Sequence, residues 1–140
     1  MTFQIVVGVD GSEHGNAALR WAVEEAEVHN GEIVAVFAWQ MPFIGIPGAF
    51  DRDEMERVCK TFIEETVASV VPKSRVPITR LVGQGDVSAV LIEASKGADM
   101  LVLGSRGRGG FAGLKLGAVS NECVQHASCP VTIIKEPEDA

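Results

Sequence analysis

The sequence predicts a single-domain α/β fold, with a five-stranded parallel sheet in the order 3-2-1-4-5 and helices on both faces. Five short segments rich in Val, Ile and Leu alternate along the chain with four segments of helical periodicity. Strands that alternate with helices in this way are typical of βαβ units, whose crossovers are right-handed. A chain of 140 residues is the size of one ordinary domain, so we expect one domain over residues 1–140.

Most of the predicted strands are nearly continuous apolar runs rather than alternating ones. Such runs indicate strands that are covered on both faces, as in a parallel sheet between two layers of helices. The predicted strands are "FQIVVGV" (3–9), "EIVAVFA" (32–38), "PITRLV" (77–82), "DMLVLG" (99–104) and "PVTIIK" (130–135).

The four predicted helices carry apolar stripes at helical spacing, and most have a recognisable start or end. Ser12 is a candidate N-cap for the first helix, which Gly31 closes. Pro72 ends the second helix, and the third runs from Asp86 to a stop at Gly97. The stripes are Ala18, Ala22 and Ala26 beside Trp21; Met55, Val58, Cys59 and Phe62; Val87, Val90, Leu91 and Ala94; and Leu116, Val119, Cys123 and Ala127 before Pro130.

The composition argues against several classes of protein. Hydrophobic residues make up 46% of the chain and charged residues 22%, a globular composition without an apolar run long enough to span a bilayer. The formal net charge of −7 repels polyphosphate backbones, which argues against general nucleic-acid binding. Three cysteines and an N-terminus without export features predict a cytoplasmic protein with reduced thiols.

The predicted topology places a ligand site between the first and fourth strands. In a parallel sheet, ligands bind beyond the carboxyl ends of the strands where the strand order reverses. The first strand ends at "GVDGS" (8–12), and the fourth runs into "GSRGRGGFAGLKLGAVS" (104–120). We therefore expect these two glycine-containing turns to lie together.

The second of these turns has the chemistry of a phosphate cradle. Its glycines let backbone N–H groups approach a ligand closely, and the following helix N-terminus adds roughly half a positive charge. Arg106, Arg108 and Lys115 supply side-chain charge beside it. A Walker A loop is absent, because Gly110 stands where that motif requires lysine. The alternative interpretation is a solvated loop whose arginines only aid solubility.

The spacing Gly104-x2-Gly107-x9-Gly117, together with "IVVGVDGSEHGNAALRWA" (5–22) and "CPVTIIK" (129–135), resembles the universal stress protein family over the whole chain. The resemblance implies the adenine nucleotide alpha hydrolase-like fold. It also implies binding of ATP or a related adenine nucleotide, AMP or cyclic AMP, with any Mg²⁺ held mainly by the phosphates.

The resemblance further implies a set of nucleotide-binding residues. Residues at the ends of the first two strands surround adenine and ribose, and those before and at the fourth helix cradle the phosphates. The first group matches Gly8, Val9, Asp10 and Ala38, with Leu103 and Gly104 on the sugar side; the second matches Gly107, Arg108, Gly117, Ala118, Val119 and Ser120. Ser105 and Arg106, which lie between the two groups, complete the expected cofactor-binding set.

One position departs from the family pattern, which has Ser or Thr where this chain has Ala118. A lost hydrogen bond to a charged phosphate lowers affinity by about ten- to a hundredfold. The main-chain N–H at this position survives, and Ser120 offers a nearby hydroxyl. We expect nucleotide binding that is weakened, not abolished.

Three functions are consistent with these residues. The favoured one is a nucleotide-responsive stress or regulatory protein, since a phosphate cradle is present without a set of catalytic groups. The second is a slow Mg²⁺-dependent ATPase or phosphotransferase that uses Asp10, the one carboxylate well placed for a metal or base role. The third is a dimeric interaction protein that does not use nucleotide.

Other candidate residues have simpler interpretations. Cys123, His126 and Cys129 suggest a zinc site, but tetrahedral zinc needs a fourth ligand, so we expect buried thiols and a polar histidine. His14 and His29 are isolated in the sequence and are expected on helix surfaces. Residues 39–50 are expected to form either a packed surface loop or a flap or partner-binding patch.

The last strand is expected at the edge of the sheet, where an apolar strand would be left unpaired on one side. The family resemblance implies dimerisation through the strand matching Val131 to Ile134. We therefore expect a homodimer, with an unidentified regulatory protein as a further partner and without nucleic-acid or membrane partners.

Overall fold

Strands and helices alternate throughout the computed structural model, which describes residues 2–40, 51–106 and 116–135. The elements are β1 (Gln4–Gly8), α1 (Glu13–Val28), β2 (Glu32–Trp39), α2 (Arg52–Val70), β3 (Ile78–Gln84), α3 (Val87–Ala94), β4 (Met100–Gly104), α4 (Ala118–His126) and β5 (Val131–Ile134). Their order is the predicted one. Residues 107–115 and residues 41–50, the latter being most of the segment expected as a surface loop or flap, lie outside the described part of the chain.

The five strands form one parallel sheet in the order β3-β2-β1-β4-β5, which confirms the prediction. β1 lies at the centre, with Ile5 opposite Ile33 of β2 and Met100 of β4. β4 pairs in turn with β5, where Leu101 lies opposite Val131. The carboxyl ends of β1 and β4 are therefore neighbours at the point where the strand order reverses.

Side chains of the central strands alternate between two apolar cores, one on each face of the sheet. Ile5 and Val7 of β1 belong to the first core, with buried residues of α1 and α2, whereas Val6 belongs to the second. Leu91 of α3 and Cys123 of α4 also belong to the second core. Successive strand side chains point to opposite faces of the sheet, so the two cores lie on opposite faces. The helices α1 and α2 therefore cover one face, and α3 and α4 cover the other.

β3 departs from the pattern of a strand covered on both faces. Thr79, Arg80 and Leu81 are exposed, and Leu81 retains 43% of its accessible surface. Within the described residues β3 pairs with β2 alone, so it lies at an edge of the sheet. Arg80 on this edge opposes pairing with another strand, a common protection for sheet edges.

Three of the helices begin at a side chain that caps the first turn. Ser12, Asp51 and Asp86 each accept a hydrogen bond from the backbone N–H three residues later, at 3.0, 3.2 and 3.1 Å respectively. The caps at Ser12 and Asp86 confirm the predicted helix starts. The N-cap residue of α4 is Gly117, which has no side chain that could accept a hydrogen bond.

The end of α1 differs in detail from the expectation that Gly31 closes the helix. The residue with a left-handed backbone is Asn30, with a φ of 52°, and the N–H of Gly31 donates to the carbonyl of Ala26 at 2.8 Å. Gly31 is required for a different reason, because a Cβ there would lie 2.4 Å from the carbonyl oxygen of Phe3. The glycine therefore allows β1 to pass close to the start of β2.

Candidate functional site

The chain leaves the adjacent carboxyl ends of β1 and β4 in opposite directions, and we call the region between them the crevice. β1 continues into α1 on the face of the first core, whereas β4 leads to α4 on the face of the second core. The two helices thus diverge from adjacent strand ends, which is the arrangement that binds ligands in open α/β sheets.

The turn after β1 fixes the carboxylate of Asp10 beside the start of α1. The N–H of Val9 donates to the carbonyl of Val36 at 2.8 Å, which extends the pairing of β1 with β2 by one residue. Asp10 Oδ1 accepts hydrogen bonds from the N–H of Ser12 at 2.9 Å and from its hydroxyl at 2.5 Å. A Cβ at Gly15 would lie 2.6 Å from the same oxygen, so glycine there leaves room for the carboxylate.

The turn after β4 is anchored to both neighbouring elements. The N–H of Ser105 donates to the carbonyl of Ile134 in β5 at 2.9 Å. The carbonyl of Ser105 accepts a hydrogen bond from the N–H of Gly117 at 2.7 Å. This second bond holds the end of β4 against the start of α4, although 11 residues separate the two bonded residues in the sequence.

Ser120 ties α4 to β4 from inside the protein. Its side chain is buried, and its hydroxyl donates to the carbonyl of Gly104 at 2.6 Å. A hydroxyl has one proton to donate. In this structure the hydroxyl proton is donated to the carbonyl of Gly104. Ser120 therefore does not replace the hydrogen bond to phosphate that a Ser or Thr side chain at position 118 would donate.

The N-terminus of α4 presents three backbone N–H groups without partners in the described part of the chain. The first bond within the helix runs from the N–H of Asn121 to the carbonyl of Gly117 at 2.9 Å. The N–H groups of Ala118, Val119 and Ser120 precede it, and no side chain caps this helix. Since such amides and the helix dipole favour negative charge, this end of α4 is suited to an anion.

Gly104 allows α1 to pack closely on the end of β4. A Cβ at this position would lie 2.6 Å from the carbonyl carbon of His14 and 2.7 Å from its oxygen. The glycine was predicted to admit a ligand, and the structure gives it a packing role as well. Gly8 also allows close packing, because a Cβ there would lie 2.9 Å from a side-chain carbon of Leu103.

His14 lies in the crevice, and the expectation that it is an isolated helix-surface residue is wrong. Its Nδ1 lies 3.1 Å from the hydroxyl of Ser105, and its Nε2 lies 3.3 Å from Nη2 of Arg106. His29, in contrast, is exposed at the end of α1 beside Glu25, as expected. The sequence signal for His14 was its place in the first turn after Asp10, because that turn must face the neighbouring strand β4.

The contact between Ser105 and His14 does not make a hydrolytic nucleophile. Ser105 is only 4% exposed, so a substrate carbonyl has little access to its hydroxyl. The second ring nitrogen of His14 faces the cation of Arg106, where a nucleophile–base pair needs a carboxylate. In this cluster the ring of His14 lies between the hydroxyl of Ser105 and the guanidinium of Arg106.

Most of the predicted site residues lie along the carboxyl edge of the sheet or at the start of α4. Ala38 is in β2 opposite Gly83, one strand away from Gly8. Gly107 and Arg108 fall outside the described residues. The described members are Gly8, Val9, Asp10, Ala38, Leu103, Gly104, Ser105, Arg106, Gly117, Ala118, Val119 and Ser120.

The cysteine-containing end of α4 forms no metal centre among the described residues, where no group of three His, Cys, Asp or Glu side chains is suitably arranged. Cys123 is fully buried, as expected, whereas the expectation of a buried thiol is wrong for Cys129, which is partly exposed because it lies between α4 and β5 and not on the buried side of the helix. His126 is exposed, with its Nε2 3.6 Å from a carboxylate oxygen of Glu122. These residues have structural or surface roles.

We expect Cys129 to react with a thiol reagent in the folded protein, and Cys59 and Cys123 to react only after unfolding. Burial, reinforced by the negative charge of Glu122, raises the pKa of Cys123 to about 11, so about one thiol in a thousand is ionised near pH 8. A chromogenic thiol titration with and without denaturant measures this. Cys129→Ser is the control that should remove the native reaction, and rapid reaction of two thiols in the folded protein would contradict the prediction.

None of the helices in the described ranges is both long enough and apolar enough to cross a lipid bilayer.

Comparison with known sequences gives a consistent family. The sequence profile of the Universal stress protein family matches residues 1–135. Universal stress protein Rv2623 of Mycobacterium tuberculosis is 32% identical over 133 residues, which cover 94% of this chain and 45% of that protein. Universal stress protein Rv2624c of the same organism is 30% identical over 135 residues, which cover 96% of this chain and 49% of that protein. The chain thus spans about half the length of these curated relatives.

Solved structures share the fold at low sequence identity. A universal stress protein in complex with cAMP superposes with a TM-score of 0.72 at 22% identity, covering 97% of this chain and 98% of that one. The Archaeoglobus fulgidus protein in complex with dAMP gives 0.69 at 22% identity, with coverages of 95% and 98%. An Arabidopsis thaliana family protein with AMP bound gives 0.64 at 24% identity, with coverages of 99% and 94%. On the profile match and the relatives together, this chain belongs to the universal stress protein family.

Proposed function

We propose that this protein binds an adenine nucleotide in the crevice between β1 and β4, and that occupancy regulates its stability or its choice of partner. The observation that carries the proposal is the uncapped N-terminus of α4 at this strand-order reversal. Three amides there accept an anion without displacing any cap in the described residues. The structural neighbours with cAMP, dAMP or AMP make an adenine nucleotide the favoured ligand.

The proposed ligand lies along the carboxyl edge of the sheet. Adenine and ribose contact the ends of β1 and β2, with the carboxylate of Asp10 accepting from ribose hydroxyls. The phosphates extend toward α4, with Arg106 beside them. The proposed contacts are Gly8, Val9, Asp10, Ala38, Leu103 and Gly104 for the nucleoside, and Ser105, Arg106, Gly107, Arg108, Gly117, Ala118, Val119 and Ser120 for the phosphates.

We infer ATP as the first nucleotide to test, because the cradle combines a helix N-terminus with arginine charge. Any Mg²⁺ is held mainly by the phosphates, since the described residues supply no cluster of three metal-binding side chains. Asp10 Oδ1 is already engaged by Ser12, which suits a fixed ligand contact better than a mobile base. We propose a regulatory role in the cytoplasm, without rapid turnover.

The test is to identify any nucleotide that copurifies and then to measure binding directly. Purified protein is denatured, and the released small molecules are identified by mass spectrometry. Calorimetry on nucleotide-free protein then compares ATP, AMP, cyclic AMP and adenosine, with GTP as the base-specificity control. Absence of adenine-nucleotide binding at millimolar concentration would overturn the proposed function, and equal affinity for GTP would overturn the choice of adenine.

Ala118→Ser is expected to tighten ATP binding by about ten- to a hundredfold. Ala118 is the exposed first residue of α4, so a hydroxyl there adds a donor beside the three free amides. Ala127→Ser makes the same substitution at the opposite end of α4 and should leave the affinity unchanged. Calorimetry with ATP measures both, and an unchanged affinity in Ala118→Ser would show that phosphates do not reach this position.

We also propose a homodimer that pairs through β5. All four residues of this strand, Val131–Ile134, are partly exposed, and within the described chain β5 pairs with β4 alone. An apolar strand with one unpaired edge is a template for a second copy. Size-exclusion chromatography with light scattering should give the mass of two subunits, and the mass of one subunit at micromolar concentration would contradict the proposal.

A further inference from the structure

A histidine from α1 links the two halves of the crevice. The main chain of His14 packs against Gly104, where a Cβ would lie 2.6 Å from its carbonyl carbon. Its ring contacts the two residues that follow Gly104. Nδ1 lies 3.1 Å from the hydroxyl of Ser105, and Nε2 lies 3.3 Å from Nη2 of Arg106. Both ring nitrogens of His14 are therefore engaged by the turn that follows β4.

The partners of His14 indicate the hydrogen-bond role of each ring nitrogen. A guanidinium group only donates hydrogen bonds, so Nε2 of His14 accepts from Arg106. A neutral imidazole that accepts at Nε2 carries its proton at Nδ1, and this N–H donates to the hydroxyl of Ser105. In this arrangement Nε2 of His14 is an acceptor for a cationic side chain.

This contact restricts Arg106 before any ligand arrives. An arginine side chain has many rotamers, so ordering it costs more conformational entropy than ordering most other side chains. Arg106 directly follows Ser105, whose carbonyl accepts the N–H of Gly117 at the start of α4. The guanidinium of Arg106 is therefore part of the turn that is hydrogen-bonded to the uncapped N-terminus of α4.

We propose that His14 is a positioning residue that holds Arg106 ready for the phosphate chain, so that it raises affinity in proportion to the number of phosphates. The inference rests on the proposed nucleotide site. The competing explanation is that His14 only packs α1 on β4, in which case its loss would weaken every ligand alike.

Two conservative variants separate these explanations. The terminal amide of glutamine places an oxygen near the position of Nε2, so His14→Gln retains an acceptor for Arg106. The shorter asparagine reaches only the position of Nδ1, so His14→Asn retains the contact with Ser105 and loses the one with Arg106. Thermal unfolding of both variants checks that each remains folded.

The experiment is calorimetry with ATP, AMP and adenosine on the wild type, His14→Ala, His14→Asn, His14→Gln, Arg106→Ala and the double variant His14→Ala/Arg106→Ala. We expect His14→Ala and His14→Asn to lower ATP affinity by about three- to tenfold, the range for losing one preordered side chain. AMP affinity should fall less, and adenosine affinity should not change. His14→Gln should bind ATP like the wild type, and the double variant should be no weaker than Arg106→Ala.

Three results would overturn the inference while leaving the proposed function intact. They are an unchanged ATP affinity in His14→Ala and His14→Asn, an equal loss for ATP and adenosine, and additive losses in the double variant. Failure of the wild type to bind any of the three ligands would instead overturn the proposed function, and the inference with it.

Discussion

Replacing Gly104 with alanine is expected to destabilise the protein and to abolish ATP binding. The added Cβ would lie 2.6 Å from the carbonyl carbon of His14, 2.7 Å from its oxygen and 2.8 Å from its Cβ. These atoms belong to the backbone and stem of a helix, so α1 must move away from β4 to relieve the overlap. Overpacking of this kind costs about 1–3 kcal/mol, and the displacement also disrupts the crevice. Urea denaturation and calorimetry with ATP measure the two effects.

Gly97→Ala is the matched control for this prediction. Gly97 precedes β4, at the opposite end of the strand from Gly104, and no atom lies within 4 Å of a Cβ built there. Its φ of 81° makes alanine strained by about 1–2 kcal/mol. This variant should therefore lose stability and keep its ATP affinity, whereas a Gly104→Ala protein with wild-type affinity would show that the contact of α1 with β4 does not shape the site.

Asp10→Ala is expected to lower the affinity for adenosine and its nucleotides by about ten- to a hundredfold, the effect of losing hydrogen bonds to a charged group. The carboxylate is fixed at the end of β1 by two hydrogen bonds from Ser12. Free adenine lacks the ribose, so its weaker binding should not change. Calorimetry with ATP, adenosine and adenine measures the difference.

The control for Asp10 is Asp86, a carboxylate that is also held by hydrogen bonds near a helix start and that caps α3. Asp86 accepts hydrogen bonds from the hydroxyl of Ser88 at 2.7 Å and from the N–H of Ala89 at 3.1 Å, and these bonds lower the pKa of its carboxyl group. Asp86→Ala should weaken α3 and leave ligand affinity unchanged. Equal binding losses in both variants would indicate a general effect of removing a hydrogen-bonded carboxylate.

The fold was predictable because local patterns and tertiary structure agree in most elements. Continuous apolar runs marked the central strands, and Ser12 and Asp86 marked helix starts at their actual positions. The disagreements arise where a distant contact decides the local structure. The left-handed residue after α1 is Asn30, because Gly31 is needed where β1 passes close, and Leu81 is exposed because β3 lies at an edge.

The candidate site was predictable at the level of the two turns, and less so for individual side chains. Strand order alone brought the ends of β1 and β4 together. The contacts of His14 are with residues 91 and 92 positions away, so its place in the first turn after Asp10 indicated the neighbouring strand but not these partners. The sequence likewise offered the hydroxyl of Ser120 as a donor to phosphate. In the folded protein this hydroxyl donates to the carbonyl of Gly104 at 2.6 Å.

The position of β1 also has a consequence for the timing of ligand exchange. β1 has strand neighbours on both sides and helices over both faces, so its amides are expected to open only when much of the molecule unfolds. The base of the crevice is therefore the slowest part of the protein to open. Entry and release of a ligand must then depend on movements of the turns and helix ends above this base, on time scales much shorter than that of unfolding.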